Sequence, residues 1–224
     1  MKVLVIAPHP DDEVLGCGGT IIKHIKSGDE VYLCVVTKSY TPDWTEDYIK
    51  KEMEELKDSS NVLGIKEIVF LDLPAVKLDL LGQKKVNDLL LNVFEKIKPE
   101  CLYIPFYGDI NKDHRCISEA ALVAARPRPS QYIKKVIAYE VPSSTEWGSL
   151  AGNCFKPNLY NDISSVFGKK QESMSCYKTQ LKDYPHPRSL EGIEILAKKR
   201  GMEAGLKYAE SFILLREIKE DAHR

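Results

Sequence analysis

Three features that this 224-residue chain lacks limit what it can be. Its six cysteines form no Cys-x-x-Cys pair, which argues against a structural zinc knot, and we expect them to be small buried side chains in a reducing compartment. No apolar run reaches the ~20 residues needed to span a bilayer. The short apolar N-terminus leads straight into Asp11, Asp12 and Glu13, which no signal peptide tolerates. We therefore expect a cytoplasmic protein without a transmembrane segment.

The chain also lacks an excess of charge of either sign. Its 32 Lys and Arg residues stand against 33 Asp and Glu residues, which gives a formal net charge of -1 at pH 7. This balance excludes the broad basic surface of a protein whose main partner is nucleic acid. An apolar fraction of 43% and a charged fraction of 29% are typical of a globular protein and exclude a disordered one.

Apolar segments typical of buried strands alternate with amphipathic helical segments over the first two thirds of the chain. The predicted strands cover residues 2–7, 31–37, 67–71, 101–105 and 136–139, with a short strand near Tyr160. The predicted helices cover residues 16–27, 45–63, 86–97, 113–125, 164–181 and 190–206, before a terminal apolar run at 211–215. This alternation indicates right-handed crossovers and a mainly parallel sheet with helices on both faces. We expect one Rossmann-like α/β domain over residues 1–224, with the later segments folding back over the same core.

A cluster of ionisable side chains comes directly after the first predicted strand. His9 is followed by Asp11, Asp12 and Glu13. Ligands of open α/β sheets bind at the carboxyl ends of strands, and carboxylates this close repel one another unless water or a cation neutralises them. A histidine among oxygen ligands suits zinc. The alternative is a solvated acidic turn that starts a helix, because Asp is common at that position.

A second cluster, residues 107–115, follows the fourth predicted strand, and the doubly wound topology can bring it beside the first. His9, Asp12 and His114 would then supply three protein ligands and leave one position open, as in catalytic zinc sites. Taken alone, a histidine at a helix start is more often a cap or a surface residue. The presence of two clusters at strand ends is what favours a metal site.

The segments 7–13 and 16–20 together resemble the signature of the LmbE-like, or PIG-L, zinc-dependent N-deacetylases. Residues 109–115, 143–147, 185–189 and 209–212 also resemble segments of that family. The resemblance implies an LmbE-like fold, one zinc ion per chain and removal of an acetyl group from an N-acetylglucosamine-type sugar. It leaves open whether the sugar is free or linked to a nucleotide or a lipid. Relatives of this kind often assemble, so a homo-oligomer is one state that the chain could adopt.

Carried over by position, the resemblance implies that His9, Asp12 and His114 hold the zinc ion and that Asp11 is the general base. The residue types agree with this assignment. Zinc polarises an amide carbonyl and lowers the pKa of a bound water. A carboxylate within hydrogen-bond reach of that water can take its proton and later deliver it to the leaving amine.

The sequence departs from the family pattern at Asn111, where many members carry a histidine that is thought to assist oxyanion stabilisation or proton traffic. An asparagine can donate a hydrogen bond but cannot carry a proton. His186, which lies between two prolines, could fill this gap and is then a candidate catalytic residue beside Asn111. The alternative is that His186 is a solvated loop histidine.

Four further residues are candidate substrate contacts. Arg188 and Arg115 could bind a phosphate on the sugar, because guanidinium forks match phosphate oxygens. Glu146 and Trp147 could meet a sugar ring by hydroxyl bonding and stacking. For the arginines the alternative is an ordinary surface charge, and for Trp147 it is an ordinary core position.

Two other functions remain to be distinguished. The glycines of residues 16–19 after the first strand are compatible with a dinucleotide-binding module, but Ile21 stands where the third glycine should be, and the acidic segment would repel a pyrophosphate. Among hydrolases, the alternative is a zinc amidase that cleaves a larger acyl group or a thiol conjugate. Metal analysis separates the first alternative from a deacetylase, and acetate release separates the second.

Overall fold

The alternating pattern of the sequence folds into one mainly parallel sheet, which a computed structural model describes for residues 1–127, 132–148 and 154–219. The strands in these residues are β1 (Lys2–Ala7), β2 (Glu30–Lys38), β3 (Glu67–Pro74), β4 (Cys101–Pro105), β5 (Lys135–Tyr139), β6 (Leu159–Asp162) and β7 (Ala209–Glu217). The helices are α1 (Asp12–Lys26), α2 (Glu46–Leu63), α3 (Gln83–Ile97), α4 (Lys112–Ala124), α5 (Thr145–Gly148), α6 (Phe167–Cys176) and α7 (Leu190–Ala204), and Leu78–Leu80 forms a 3-10 turn. None of these helices is long and apolar enough to cross a membrane.

The strand order places a ligand crevice beside β1. The order is β3-β2-β1-β4-β5-β7-β6, in which β1 to β5 are parallel and β7 runs antiparallel to both β5 and β6. The chain winds outward from β1 in one direction through β2 and β3, and in the other through β4 and β5. The loops after β1 and β4 therefore diverge, and they open a crevice at the carboxyl ends of these two strands. This arrangement confirms the predicted fold class.

The core has two halves, one on each face of the sheet, and β1 contributes to both. Val3, Val5 and Ala7 pack with apolar residues of α1, α2, α6 and α7, whereas Leu4 and Ile6 pack with those of α3 and α4. A strand that is buried on both faces needs an uninterrupted apolar run, which is the pattern seen in the sequence.

The cysteine expectation is only partly met. Cys17, Cys34 and Cys101 are buried small side chains, but Cys154 is exposed. The three buried residues lie within α1, β2 and β4, where the apolar environment of the core surrounds them. Cys154 lies outside those elements.

The first helix begins at Asp12, not at residue 16 as the sequence indicated. Asp12 and Glu13 occupy its first turn, where negative charge is favourable. Glycine occupies several of the following helical positions because it lets neighbouring segments pack closely against α1. A Cβ on Gly19 would lie 2.6 Å from the Ile163 side chain, and one on Gly16 would overlap the Tyr139 ring. These glycines therefore make room for neighbouring side chains of the same chain. They give no reason to infer a dinucleotide site.

The C-terminal third differs most from the sequence prediction. The helix expected at residues 164–181 spans only Phe167–Cys176, and the terminal apolar run is the long strand β7. On β7, Phe212 and Leu214 face one half of the core while Ile213 and Leu215 face the other. Because both faces of the strand pack against the core, its sequence is an unbroken apolar run and does not alternate with polar residues. The one-turn helix α5 and the 3-10 turn were not predicted, because such short elements carry no periodic signal.

A buried ion pair connects β7 to the first helix. The Glu210 carboxylate accepts hydrogen bonds from the N–H groups of Gly19 and Thr20 at 2.8 and 2.7 Å. The Lys170 ammonium donates to Glu210 at 2.6 Å and to the Leu15 carbonyl at 2.9 Å. Both charged side chains are about 95% buried. Leu15 and Gly19 are one helical turn apart, so the pair ties the middle of α1 to β7 and gives residues 209–212 a structural role.

We predict that Glu210→Gln lowers the free energy of unfolding by about 3–5 kcal/mol, because it leaves the Lys170 charge buried without a counter-charge. Urea unfolding of the metal-free protein measures this change. The double variant Lys170→Met/Glu210→Gln should recover part of the loss. Equal stability of the single and the double variant would show that an unpaired Lys170 charge is not the cause of the loss.

Candidate metal centre

Three potential ligands meet where the loops after β1 and β4 face each other. His9 and Asp12 come from the β1–α1 loop and the start of α1, and His114 lies in the first turn of α4. The His9 Nδ1 atom is 3.2 Å from Asp12 Oδ2 and 3.3 Å from His114 Nε2. The third side of this triangle, from His114 Nε2 to Asp12 Oδ2, is also 3.3 Å. Thr37 on β2 stabilises the β1–α1 loop, because its N–H and its hydroxyl both donate hydrogen bonds to the Pro8 carbonyl.

The size of this triangle fits a tetrahedral zinc ion. Zinc bonds to nitrogen and oxygen are about 2.0–2.1 Å long, and the corners of such a tetrahedron lie about 3.3 Å apart. The three observed separations match that value, so the atoms can occupy three corners and leave the fourth open. Among the residues that the structure describes, His9, Asp12 and His114 form the cluster of His, Cys, Asp and Glu side chains able to hold a metal ion.

Two further carboxylates lie beside the outer nitrogens of the two imidazole rings. Asp113 Oδ2 lies 3.0 Å from His9 Nε2, and Asp109 Oδ2 lies 3.3 Å from His114 Nδ1. Each ring thus presents its other nitrogen to the centre, which is the usual arrangement of metal-binding histidines. Asp113 is itself fixed by the Val76 N–H at 2.6 Å. Sequence reasoning assigned no role to either aspartate, although both lie in residues 109–115; their position beside a candidate ligand was the available signal.

The carboxylates raise the pKa of both histidines. Burial opposes the charged imidazole, but hydrogen bonds to Asp113 and Asp12 outweigh it and raise the pKa of His9 to about 9. Burial also opposes the charge of His114, and there the negative charges of Asp12 and Asp109 raise the pKa to about 10. The metal-free cluster therefore holds protons that a metal ion must displace.

Asp11 occupies a strained position beside the centre. Its backbone has φ = 109°, a left-handed conformation that is costly for a residue with a Cβ. Its N–H donates to Glu13 at 3.1 Å, and Glu13 accepts a hydrogen bond from the Tyr177 hydroxyl at 2.5 Å. Burial and the charges of Asp12 and Glu13 raise the pKa of Asp11, while Arg188 opposes this shift. Burial likewise raises the pKa of Glu13 to about 7.

The two candidate arginines contact the protein itself. Arg188 Nη1 is 3.2 Å from both Asp11 Oδ2 and Gln180 Oε1, and its Nε donates to the Ser143 hydroxyl at 2.7 Å. Arg115 Nη1 donates to the carbonyls of Asp109 and Ile110, both at 2.7 Å. Arg188 thus lies at the candidate base, whereas Arg115 closes the loop after β4. Phosphate binding by either arginine stays a prediction.

The remaining candidate substrate residues lie on α5. Glu146 accepts hydrogen bonds from the N–H groups of Ser143 and Ser144, at 2.6 and 3.2 Å. Trp147 is 48% exposed, so it is not a core residue. Its ring lies 6.4 Å from the His186 ring in an edge-to-face arrangement. Contact of Glu146 and Trp147 with a sugar stays a prediction.

Asn111 and His186 lie in different surroundings. Asn111 caps α4, because its side-chain oxygen accepts the Asp113 N–H at 2.9 Å, and it lines the cavity at the metal centre. The described lining residues do not include His186, whose Nδ1 accepts the Arg188 N–H at 3.1 Å. The geometry therefore favours Asn111 as the group nearer to a bound substrate.

The cavity above the centre has a volume of about 240 Å³, and sequence reasoning missed half of its wall. The missed lining residues include Thr37, Ser39, Trp44, Tyr48, Glu52 and Gln180. Trp44, Tyr48 and Glu52 are spaced by four residues; Tyr48 and Glu52 lie on one side of α2, and Trp44 lies just before that helix. Their spacing, just after the strand that neighbours β1, was the signal that could have found them.

The segment that contains this centre matches a known protein family. The model of the family described as GlcNAc-PI de-N-acetylase, PIG-L, matches residues 4–125, which is more than half of the chain and includes all three potential ligands. The chain belongs to the PIG-L family. This membership confirms the resemblance that the sequence motifs indicated.

Known relatives of this PIG-L protein include sugar deacetylases. The diacetylchitobiose deacetylase of Thermococcus kodakarensis is 29% identical over 221 residues, which cover 93% of this chain and 81% of the relative. The structure of N,N'-diacetylchitobiose deacetylase from Pyrococcus horikoshii has a TM-score of 0.77 and 23% identity, and the match covers 96% of this chain and 84% of that one.

One structural neighbour catalyses a different reaction. GalB from Pseudomonas putida KT2440 is a 4-carboxy-2-hydroxymuconate hydratase, with a TM-score of 0.78 and 22% identity over 98% of both chains. At that identity the likeness shows the fold alone. The activity of this PIG-L protein must therefore be argued from its own residues.

We predict that zinc binding at pH 7 releases about two protons, because both histidines are protonated in the metal-free protein and must become neutral to bind zinc. Calorimetric titration at one pH, in two buffers of different ionisation enthalpy, measures this number. The release should decline as the pH rises through 9 and 10, where the metal-free histidines lose their protons. Binding without proton release at pH 7 would show that both histidines are already neutral in the metal-free protein at that pH.

Proposed function

We propose that this protein is a zinc-dependent hydrolase that removes the acetyl group from an N-acetylglucosamine-type amino sugar. The observation that carries the proposal is the triangle of His9 Nδ1, Asp12 Oδ2 and His114 Nε2, whose 3.2–3.3 Å sides fit one zinc ion with an open fourth position. The named activity of the relatives, deacetylation of diacetylchitobiose, supports the choice of substrate class.

His9, Asp12 and His114 would hold one zinc ion per chain, and Asp113 and Asp109 would keep the two imidazoles aligned. When bound, zinc supplies a Lewis acid that polarises the amide carbonyl and acidifies a water molecule. The open fourth position faces a cavity large enough for a small ligand.

Asp11 would serve as the general base. Its carboxylate is buried next to the ligand Asp12, and a carboxylate in that place can take a proton from the attacking water. The same group can then deliver the proton to the nitrogen of the leaving amine, which departs as the free amino sugar while acetate remains. Arg188 holds Asp11 Oδ2 at 3.2 Å and so fixes the orientation of the carboxylate.

Asn111 would donate a hydrogen bond to the acetyl oxygen as negative charge develops on it. This assignment is favoured over His186 because Asn111 lines the cavity, whereas His186 accepts a hydrogen bond from the Arg188 backbone. His186 would then act by supporting the segment that carries Arg188.

Asp11→Asn tests the mechanism. We expect the zinc-loaded wild-type protein to release acetate from N,N'-diacetylchitobiose or N-acetylglucosamine. The variant should keep about one zinc per chain and lose about 10²–10⁴-fold in kcat, the usual contribution of a general base. Elemental analysis and acetate assays measure both quantities.

The variant His114→Ala is the control for the metal, and it should lose zinc and activity together. Near wild-type turnover by a zinc-replete Asp11→Asn protein would remove Asp11 from the mechanism. Release of a longer carboxylic acid in place of acetate would favour the alternative of a zinc amidase with a larger acyl substrate.

The roles of Asn111 and His186 are separated by comparing two alanine variants. We predict that Asn111→Ala lowers kcat by about 10²-fold with little change in KM, because it removes an oxyanion donor. His186→Ala should have a smaller effect on kcat. A larger loss in His186→Ala, at full zinc content, would show that the histidine reaches the reacting atoms when substrate is bound.

A further inference from the structure

Glu52 is a buried carboxylate that the proposed mechanism does not use. It lies on α2 with 3% of its surface exposed, and it lines the cavity at the metal centre. The Ser39 hydroxyl donates to its Oε1 at 3.1 Å. Ser39 follows β2, the neighbour of β1, so this contact holds Glu52 on the side of the cavity opposite β4.

The second carboxylate oxygen of Glu52 has no partner. Oε2 makes no hydrogen bond with any residue that the structure describes, although it is buried. Buried polar atoms are almost always hydrogen-bonded, so an unpaired one in a cavity wall indicates a ligand group that completes it. A carboxylate oxygen accepts hydrogen bonds, so that group must be a donor. Burial raises the pKa of Glu52, while the hydrogen bond from Ser39 and the charge of His9 oppose this shift.

The charges around the cavity restrict what that donor can belong to. Among the described lining residues, Arg188 is the single Lys or Arg, and its Nη1 already contacts Asp11. A phosphate or carboxylate placed beside Glu52 would thus meet like charge, and no Lys or Arg of the described lining residues is free to offset it. The other polar groups of the wall are uncharged hydroxyls and amides, contributed by Thr37, Ser39, Tyr48, Asn111, Ser144 and Gln180.

Trp44 adds an apolar surface to the same wall. It lines the cavity eight residues before Glu52, and Tyr40 packs edge-to-face against it with ring centroids 5.6 Å apart. Aromatic rings beside hydroxyl-binding groups suit a sugar, which presents apolar ring faces and hydroxyl edges. The wall as a whole therefore fits an uncharged, hydroxyl-bearing ligand.

We propose that Glu52 is a specificity residue whose Oε2 accepts a hydrogen bond from a hydroxyl group of the amino sugar. The cavity then selects an uncharged sugar over one that carries a phosphate or a carboxylate group in this position. The inference rests on the proposed function for the identity of the ligand as an N-acetylated sugar. The sequence suggested that Arg188 binds an anionic group of the substrate. The proposal instead has Glu52 bind a neutral hydroxyl group.

Binding without turnover tests the proposal. N-acetylglucosamine is titrated into the zinc-loaded Asp11→Asn protein and into the same protein with Glu52→Gln added. We expect Glu52→Gln to weaken binding by about 10–100-fold, the contribution of a hydrogen bond to a charged acceptor. N-acetylglucosamine 6-phosphate and 1-phosphate should bind the parent more weakly than the neutral sugar does, and Glu52→Gln should narrow that difference.

A matched control lies on the same helix. Glu54 is exposed, with 61% of its side chain accessible, and Glu54→Gln should leave sugar binding unchanged. Glu52→Asp is the second variant; it keeps the negative charge but moves the carboxylate oxygens away from the sugar. We expect its affinity for N-acetylglucosamine to lie between those of the parent and Glu52→Gln. Unfolding curves and zinc content confirm that each variant is folded and loaded.

Three results separate the possible failures. Unchanged affinity for N-acetylglucosamine in Glu52→Gln would overturn the role of Glu52. Equal or tighter binding of both phosphorylated sugars by the parent would overturn the selectivity. If the wild-type protein released no acetate from any N-acetylated sugar while Glu52→Gln still weakened sugar binding, the proposed function would fail and the inference about Glu52 would stand.

Discussion

The structure around the crevice depends on how its buried negative charge is neutralised. Asp11, Asp12, Asp109 and Asp113 are all nearly inaccessible to solvent, and like charges at such short range cannot remain ionised without cations. In the metal-free protein, the carboxylates raise the pKa of the two neighbouring histidines, and the protons that these histidines hold supply positive charge. A zinc ion carries the same two charges that those protons provide. Exchange of two protons for one dication thus leaves the charge of the cluster unchanged, and Arg188 supplies the further charge beside Asp11.

The fold holds this charge in place by fixing the backbone on both sides of the crevice. The β1–α1 loop is held by Thr37 on β2, and the helix it starts is tied to β7 by Lys170 and Glu210. On the other side, Asp113 accepts the Val76 N–H, which joins the start of α4 to the loop after β3. The strained backbone of Asp11 persists because these contacts leave the loop few alternatives.

The sequence could predict that His9, Asp12 and His114 lie together because each half of this cluster is local. His9 and Asp12 follow an apolar run that can only be a buried strand, His114 follows another, and the switch-point rule for parallel sheets brings the two strand ends together. On the charged helix α2, the four-residue spacing of Tyr48 and Glu52 was the one available signal, and the packed structure shows that Glu52 lines the cavity whereas Glu54 faces solvent. The insertion of β7 beside β5 likewise depends on long-range pairing, which an apolar run does not encode.

The departure at Asn111 changes how protons can move in this cavity. Among the described lining residues outside the three potential ligands, the carboxylates are Asp11 and Glu52, and Glu52 lies on the β2 side with Ser39. With an amide at position 111, no imidazole from α4 other than His114 can share the proton, so the proposed mechanism requires Asp11 both to take it and to return it. A base that does both needs a pKa close to the working pH. Burial raises the pKa of Asp11 and so makes its carboxylate a stronger base, whereas Arg188, which holds the carboxylate in place, opposes that rise and so favours return of the proton.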